Sequence, residues 1–436
     1  MNPLIETLKP ASLKSKTKAV TVIGMGDDGC LSLSSRAVGV VAKAQILVGG
    51  ERHLEFFPQF QGTKLVIKSN LTDLVAKIET LAQENHVAVL ASGDPLFFGI
   101  GGLIVKKLGL DNVEILPHVS SMQLAFSKIG MKWDDATWVS LHGKPIKGML
   151  TKIRTSHKIA LFTDAENSPS RIAQYLLDYG ENNLKIWVCE NLGGVDERIR
   201  EFSVQDLVAC KDASDLNVVI LLRESSWNRP SAIPFLHEDD FAKRMPKKGL
   251  ITKREVRLLS LGFLNLKKDS VVWDIGAGSG SVSIEAAMIC QEGDVYAIEV
   301  DPEGVAICKE NLITHYIDNV TVIEGLAPEA LKDLPQPDAV FIGGSKGNIR
   351  PILDFSLDQL REGGRLVVNA ITLENINEAY SYFKEKEMNP QVTMLNIARG
   401  EPLARYLRYE ALNPIQIFAV KKGHQNKEGG NLNEPR

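Results

Sequence analysis

The stretch VVWDIGAGSG at residues 271–280 decides the reading of the C-terminal half of the chain. Its first residues are apolar and β-branched, as in a buried strand. Its last residues alternate glycine at Gly276, Gly278 and Gly280. Glycine lets the backbone turn tightly and lets a ligand come close to it. A helical stretch, 282–289, follows at once. A dinucleotide fingerprint, G-x-G-x-x-G, would place its third small residue at position 281, which is serine. The third glycine comes one residue earlier, giving G-x-G-x-G.

Two features downstream bear on the ligand. Glu299 closes the next apolar run, DVYAIEV, 23 residues after Gly276. An acid there can accept both ribose hydroxyls of an adenosyl group. Gly325, Leu326 and Ala327 follow the third apolar run, in position to flank an adenine. Three readings stand: a glycine turn without a ligand, a NAD site, and a site for S-adenosylmethionine (SAM), whose methyltransferases carry G-x-G-x-G. The glycine spacing separates the last two, whereas Glu299 would serve either nucleoside.

Outward from this stretch, strand-like and helix-like segments alternate. The runs at 19–23, 44–48, 64–67, 87–90 and 113–116 are expected strands. So are 138–141, 158–162, 185–189 and 217–222, and, in the C-terminal half, 270–275, 295–300, 320–324, 339–342 and 365–369. The spacing predicts helices over 71–83, 253–261, 282–289 and 304–314. Such alternation implies α/β units around a mostly parallel sheet. Residues 224–249 carry Pro230, Pro234 and Pro246, mixed charge and no period, so a linker is expected at about 226–245. The polar, glycine-rich tail 423–436 is expected to be disordered.

Composition narrows the function. The 436 residues are enough for two large or three ordinary domains, and 44% hydrophobic content supplies real cores. A formal net charge of -4 argues against a nucleic-acid binder. Cys30, Cys189, Cys210, Cys290 and Cys308 form no C-x-x-C pair, which predicts reduced thiols and a cytoplasmic location. The histidines have no ligand spacing, so no metal site is expected. No apolar run reaches membrane-span length and the N-terminus lacks a signal-peptide core.

The N-terminal half has its own glycine loops. GMGDDG at 24–29 fits G-x-G-x-x-G, but its two carboxylates would repel a pyrophosphate, which counts against NAD. The stronger signal is VLASGDPLFFGIGG at 89–102 together with PHVSSMQLAF at 117–126. With MKWDDATWVSLHGKP at 131–145 and ENLGGVDERI at 190–199, residues 19–225 resemble the C5-methylating branch of the tetrapyrrole methylase family. That resemblance implies two α/β lobes, about 19–116 and 117–225, with folded SAM between them. It implies donor contacts from Gly93, Asp94, Phe97, Ser120, Ser121 and Thr163. Asp94 also reads as a turn-capping residue before Pro95. His142, in LHGKP, reads either as a loop histidine or as a substrate contact.

Residues 246–422 resemble the C15-methylating, decarboxylating module of cobalamin biosynthesis. The matching stretches are GLITKREVRLLSLGFLNLKKDSVVWDIGAGSGSVSIEAA, AIEVDPEG, GLAPEAL, FIGGSKGN and VVNAITLEN. This resemblance implies a Rossmann-like class I methyltransferase fold with Thr252, Gly276, Ala277, Gly278, Ser279, Gly280, Glu299 and Ala327 beside SAM. Leu326 stands where that family often has Asp.

As a pair, the halves resemble the precorrin-6Y C5,15-methyltransferase (decarboxylating) family. The expectation is an α/β chain, a bilobed tetrapyrrole methylase fold followed by a Rossmann-like domain, with two SAM sites. The implied chemistry is methylation of C5 and C15 of a precorrin-6 type macrocycle and decarboxylation of its C12 acetate, giving precorrin-8 or its cobalt form. The implied partner is a small tetrapyrrole, with no nucleic acid and no membrane, and the implied assembly a homo-oligomer. Such a substrate is a polycarboxylate, so Lys253, Arg254, Lys346, Arg350 and Arg399 are candidates to bind it. The rival expectations are a SAM methyltransferase on RNA or protein with an N-terminal recognition domain, and an NAD-linked oxidoreductase using the 24–29 loop.

Overall fold

The computed structural model describes residues 18–68, 70–224, 227–243 and 251–423. The tail expected to be disordered lies, from residue 424 onward, outside the described residues, as do residues 226, 244 and 245 of the expected linker. Contacts divide the chain into two compact units. Of the described residues, the first comprises those within 18–144, 158–173 and 183–223, and the second those within 145–157, 174–182 and 224–423.

The first unit holds two sheets. Strands β1 (Val20–Met25), β2 (Ile46–Gly49), β3 (Thr63–Val66), β4 (Val87–Ser92) and β5 (Val113–Leu116) form the first, in the order β3-β2-β4-β1-β5. All its pairings are parallel. Every residue of β1 is buried, which explains a run that is apolar but for Thr21: helices cover both faces of a parallel sheet. The second sheet comprises β6 (Thr137–Ser140), β7 (Lys158–Phe162), β8 (Leu184–Glu190), β9 (Arg198–Ser203) and β10 (Asn217–Arg223), in the order β6-β7-β10-β8-β9.

That second sheet departs from the parallel expectation. Only β6 and β7 pair parallel; β7-β10, β10-β8 and β8-β9 are antiparallel. The unanticipated strand is β9, RIREFS, which returns directly from β8 as a hairpin. A hairpin can only pair antiparallel, whereas a parallel pair needs a crossover.

The second unit is built on a seven-stranded sheet. Its strands are β11 (Val272–Ile275), β12 (Val295–Glu299), β13 (Val320–Glu324), β14 (Ala339–Ile342), β15 (Arg365–Ala370), β16 (Gln391–Leu395) and β19 (Ile415–Lys421). The order is β13-β12-β11-β14-β15-β19-β16, parallel from β13 to β15, with β19 antiparallel to both neighbours. A separate ribbon pairs β17 (Ala398–Leu403) with β18 (Tyr406–Ala411). Chain order reverses at β11, which lies between β12 and β14, and this opens a crevice at the carboxyl ends of the strands. The helix Ser281–Ile289, which starts at that crevice, has buried residues all round, so it is a core helix and not an amphipathic one.

The described part of the expected linker is packed into this unit. Phe241 joins the core, the Leu236 N–H donates to Glu285 at 2.9 Å, and the Ala242 N–H donates to Asn311 at 2.7 Å. Residues 145–157 group here because Asp318 accepts hydrogen bonds from the Leu150 and Thr151 N–H groups at 2.9 and 2.8 Å.

Candidate functional site

A cavity of about 620 Å³ opens at the crevice of the second unit. That is within the size range of small-molecule sites. Its walls include the loops after β11, β12, β13 and β14, as strand order dictates, together with residues at 251–256, 369–371, 397 and 411–415. Thr252, Gly276, Ala277, Gly278, Ser279, Glu299 and Ala327, all nominated from sequence, line it. Gly280 does not. It caps the Ser281–Ile289 helix with φ +75°, and a Cβ there would sit 2.4 Å from Cys308 Sγ. Gly276 has φ +76°, and a Cβ there would lie 2.7 Å from the Gly344 backbone, so the loops after β11 and β14 meet as bare backbone.

Glu299 anchors the loop. Its Oε2 accepts the Gly278 N–H at 2.8 Å, and its Oε1 accepts the N–H groups of Val300 and Asp301, each at 2.9 Å. These three bonds hold the carboxylate at the cavity wall and leave about one of its four lone-pair sites, on Oε2, for a hydroxyl donor. Beneath the loop Asp274 is almost wholly buried; Ser283 Oγ donates to its Oδ2, while Oδ1 has no partner among the described residues. Burial pushes the Asp274 carboxyl up to about 7; the Ser283 bonds oppose this and the charge of Glu299 adds to it.

A buried ion pair braces the part of the wall at Thr252. Arg257 Nη2 donates to Glu285 Oε1 at 2.9 Å with neither side chain exposed, and Arg257 also donates to the carbonyl oxygens of Thr252 and Leu236. Thr252 is therefore held through its backbone.

The five basic candidates separate. Lys253 and Lys346 line the cavity and form no ion pair or side-chain hydrogen bond among the described residues. Arg254, Arg350 and Arg399 are not among the lining residues. Arg350 makes two bonds to Glu385, at 2.7 and 2.9 Å. Arg399 is bound by Glu238 and Glu255, and Arg254 lies over the Phe235 ring. Sequence reasoning missed Ser345 and Asn369, which also line the cavity. The available signal was a polar side chain at the carboxyl end of an apolar run, in FIGGSKGN and VVNAITLEN.

In the first unit the nominated residues gather around the loop after β4. Gly93 has φ +57°, and a Cβ on it would be 3.0 Å from Ser120 Cα and 3.4 Å from Ser121 N. Asp94 Oδ1 accepts the Leu96 N–H at 2.9 Å, the turn-capping bond foreseen for it. Ser120 and Gln123 form a capping box at the start of the helix Ser121–Lys128. The Phe97 ring is 5.4 Å from Trp138 and 5.7 Å from Phe162. Next to Phe162, the Thr163 hydroxyl donates to Asn217 Oδ1 at 2.8 Å, and the Thr163 carbonyl lies 3.2 Å from His142 Nδ1. The 24–29 loop belongs to the same neighbourhood: a Cβ on Gly24 would be 2.1 Å from the Gly93 carbonyl. Asp27 in that loop pairs with Arg52 at 2.8 Å. His53 contacts Ser92 Oγ at 3.2 Å, and its ring is lowered to about 4 by burial and by the charge of Arg52.

Comparison with known proteins gives these geometries a family. Residues 19–208 match the tetrapyrrole (corrin/porphyrin) methylases, and residues 244–422 match the precorrin methyltransferase domain. The chain is 32% identical to the precorrin-6Y C(5,15)-methyltransferase [decarboxylating] of a Sinorhizobium species, over 93% of this chain and 96% of that protein. A probable cobalt-precorrin-6B C(15)-methyltransferase (decarboxylating) of Methanothermobacter thermautotrophicus is 38% identical over 44% of this chain and 98% of its own length. The cobalt-precorrin-7 C(5)-methyltransferase of Salmonella typhimurium is 32% identical over 47% of this chain and 99% of its own. Near-full coverage of a fused relative, with each half also similar to a stand-alone enzyme, leads to one conclusion: the chain belongs to the precorrin-6Y C(5,15)-methyltransferase (decarboxylating) family.

Proposed function

We propose that this chain methylates C5 and C15 of a precorrin-6 type macrocycle and removes carbon dioxide from its C12 acetate, using one SAM site in each unit. The observation that carries the second site is the cavity itself, with the Glu299 carboxylate and the backbone of Gly276 and Gly278 on its walls, beside Lys253 and Lys346, which are unpaired among the described residues. The residues fit the donor: a carboxylate for ribose hydroxyls, and glycines that leave room for a ligand against the backbone. When bound, SAM supplies an electrophilic methyl group on a positive sulfur.

The protein's task is then mainly positioning. Glu299, Gly276, Ala277, Gly278, Ser279, Thr252 and Ala327 hold the donor in the second site. Lys253 and Lys346 hold macrocycle carboxylates by charge-assisted hydrogen bonds. Fixing the nucleophilic meso carbon against the donor is proximity catalysis, and the apolar side chains of Ile275, Ile298 and Ile352 in the wall keep water away. In the first site, Gly93, Asp94, Phe97, Ser120, Ser121 and Thr163 hold the donor between the lobes at about 19–116 and 117–225, and His142 faces the substrate. We assign the product as precorrin-8 or its cobalt form and the assembly as a cytoplasmic homo-oligomer. The reading as a methyltransferase on RNA or protein is not favoured, because the relatives along nearly the whole chain are corrin-precursor enzymes.

The test is incubation with SAM and a reduced precorrin-6 substrate, followed by mass spectrometry. The expected product has gained two methyl groups and lost one carbon dioxide. A product with a single methyl group and an intact acetate would overturn the reading.

A further inference from the structure

Arg399 has the composition of a substrate-binding cation and the surroundings of something else. Its Nη1 and Nη2 donate to the two carboxylate oxygens of Glu238 at 3.0 and 2.9 Å, and Nη2 also donates to Glu255 at 2.5 Å. Glu238 is 4% exposed and accepts the Arg254 N–H at 2.9 Å as well. Burial alone would raise the Glu238 carboxyl, but the Arg399 and Arg254 bonds outweigh it and hold it at about 2. The two terminal nitrogens of the guanidinium are thus engaged, with Glu238 by a bidentate bond of the strong, geometrically specific kind, while the buried Nε has no partner among the described residues.

The clasp joins three segments distant in sequence: the turn Glu238–Asp240, the start of the helix Arg254–Leu264, and the start of β17. Two of them lead into the cavity wall. Ile251, Thr252 and Lys253 immediately precede the helix and line the cavity. Ile397 precedes β17 and lines it too; Ala398 pairs with Ala411, and Ala411, Leu412 and Asn413 continue the wall. Two stretches of one cavity are therefore set against each other by a single arginine between two acids.

We infer that Arg399 is a positioning residue: the Glu238–Arg399–Glu255 clasp sets the spacing of the 251–253 and 397–413 walls, and so the seat of the macrocycle for the C15 step. This rests on the reading of the cavity as the second methylation site. The clasp leaves Lys253 and Lys346 as the cations that meet substrate carboxylates.

The experiment uses the full chain and compares R399A, E238A, the double variant and R399K for C15 methylation, with C5 methylation on the same chain as internal control. Glu238 cannot bind a carboxylate, so its loss separates a clasp from a ligand. We expect R399A and E238A each to raise the macrocycle KM for the C15 step about tenfold, the double variant to be no worse than the worse single, and R399K to recover part of the loss. C5 methylation stays at the wild-type rate. Where E238A loses the melting transition of the second unit, E238Q is read in its place with the same expected KM. A wild-type KM in E238A or E238Q beside a raised KM in R399A makes Arg399 a substrate ligand and overturns the inference. So does a wild-type KM in R399A. Absence of C15 methylation in the unaltered chain sinks the underlying reading instead.

Discussion

The Gly278 N–H donates to Oε2 of Glu299 at 2.8 Å, joining the glycine loop after β11 to the acid at the end of β12. Two motif elements far apart in sequence thus form one piece of wall. The Glu299 carboxylate is held in place by the chain itself, and in its proposed role as the ribose acid this lowers the cost of binding the donor.

Replacing Glu299 with Gln tests that arrangement. The amide keeps one accepting oxygen, and its NH2 accepts none of the N–H groups now shared between the two carboxylate oxygens. The expected result is a SAM Kd at this site at least about tenfold weaker, or about 1.4 kcal/mol, by calorimetry. C5 methylation, in the other unit, is unaffected. An unchanged two-site isotherm would refute the assignment of Glu299.

Gly276 and Gly262 should respond oppositely to alanine. At Gly276 the side chain enters a left-handed conformation, at about 1–2 kcal/mol, and meets the Gly344 backbone at 2.7 Å. Gly276→Ala should lower the Tm of the second unit and its SAM binding together. Gly262 lies in the helix Arg254–Leu264 with nothing within 4 Å of its Cβ position. Gly262→Ala should raise stability by up to about 1 kcal/mol, because alanine is the better helix former. Thermal melting reads both.

Asp274 gives the second unit a pH signature. Its carboxyl titrates at about 7 in the folded chain, against about 3.9 unfolded. Between those values the folded state binds more protons, so this group's contribution to stability is present at low pH and lost as pH rises toward 7, at about 1.4 kcal/mol per pH unit. His53 in the first unit runs the other way. Folded at about 4 against about 6.5 unfolded, it contributes stability that is lost as pH falls through that window. The Tm difference between wild type and Asp274→Asn, followed from pH 4 to 8, should change steadily up to about pH 7 and then level off. A flat difference would show that Asp274 titrates normally.

Ser120 and Ser121 are adjacent but not equivalent. The Ser120 hydroxyl accepts the Gln123 N–H at 3.2 Å in a capping box. Ser120→Ala should cost about 1 kcal/mol of stability. Ser121→Ala breaks no such bond and should leave Tm unchanged while weakening SAM binding in the first unit. Denaturation and calorimetry on both variants distinguish cap from contact.

How much was legible depended on burial. The run VTVI in β1 is apolar but for Thr21 because the strand is covered on both faces, and β11, VWDI, is likewise buried throughout, with Asp274 its one polar residue. The strand β9 escaped because RIREFS is half-exposed and carries arginines that bind the buried Glu190, leaving no apolar pattern to read. The ribbon β17–β18 escaped for a related reason, since both strands are almost entirely exposed, whereas β19, IQIFAVK, is mostly buried and its apolar run was there to be read.

The sequence by itself determined the local chemistry: a strand, a glycine loop and a helix at 271–289, an acid 23 residues after Gly276, and a Gly-Asp-Pro turn at 93–95. These are short-range features, set by backbone conformation and by the spacing of side chains along one segment. Only the tertiary structure decided which cations are available. Lys253 and Lys346 line the cavity without partners among the described residues, whereas Arg350 and Arg399 are held by acids at 385, 238 and 255. Charge pairing acts through space, and Arg399 meets Glu238 across 161 residues of chain, a distance over which no sequence pattern carries the information.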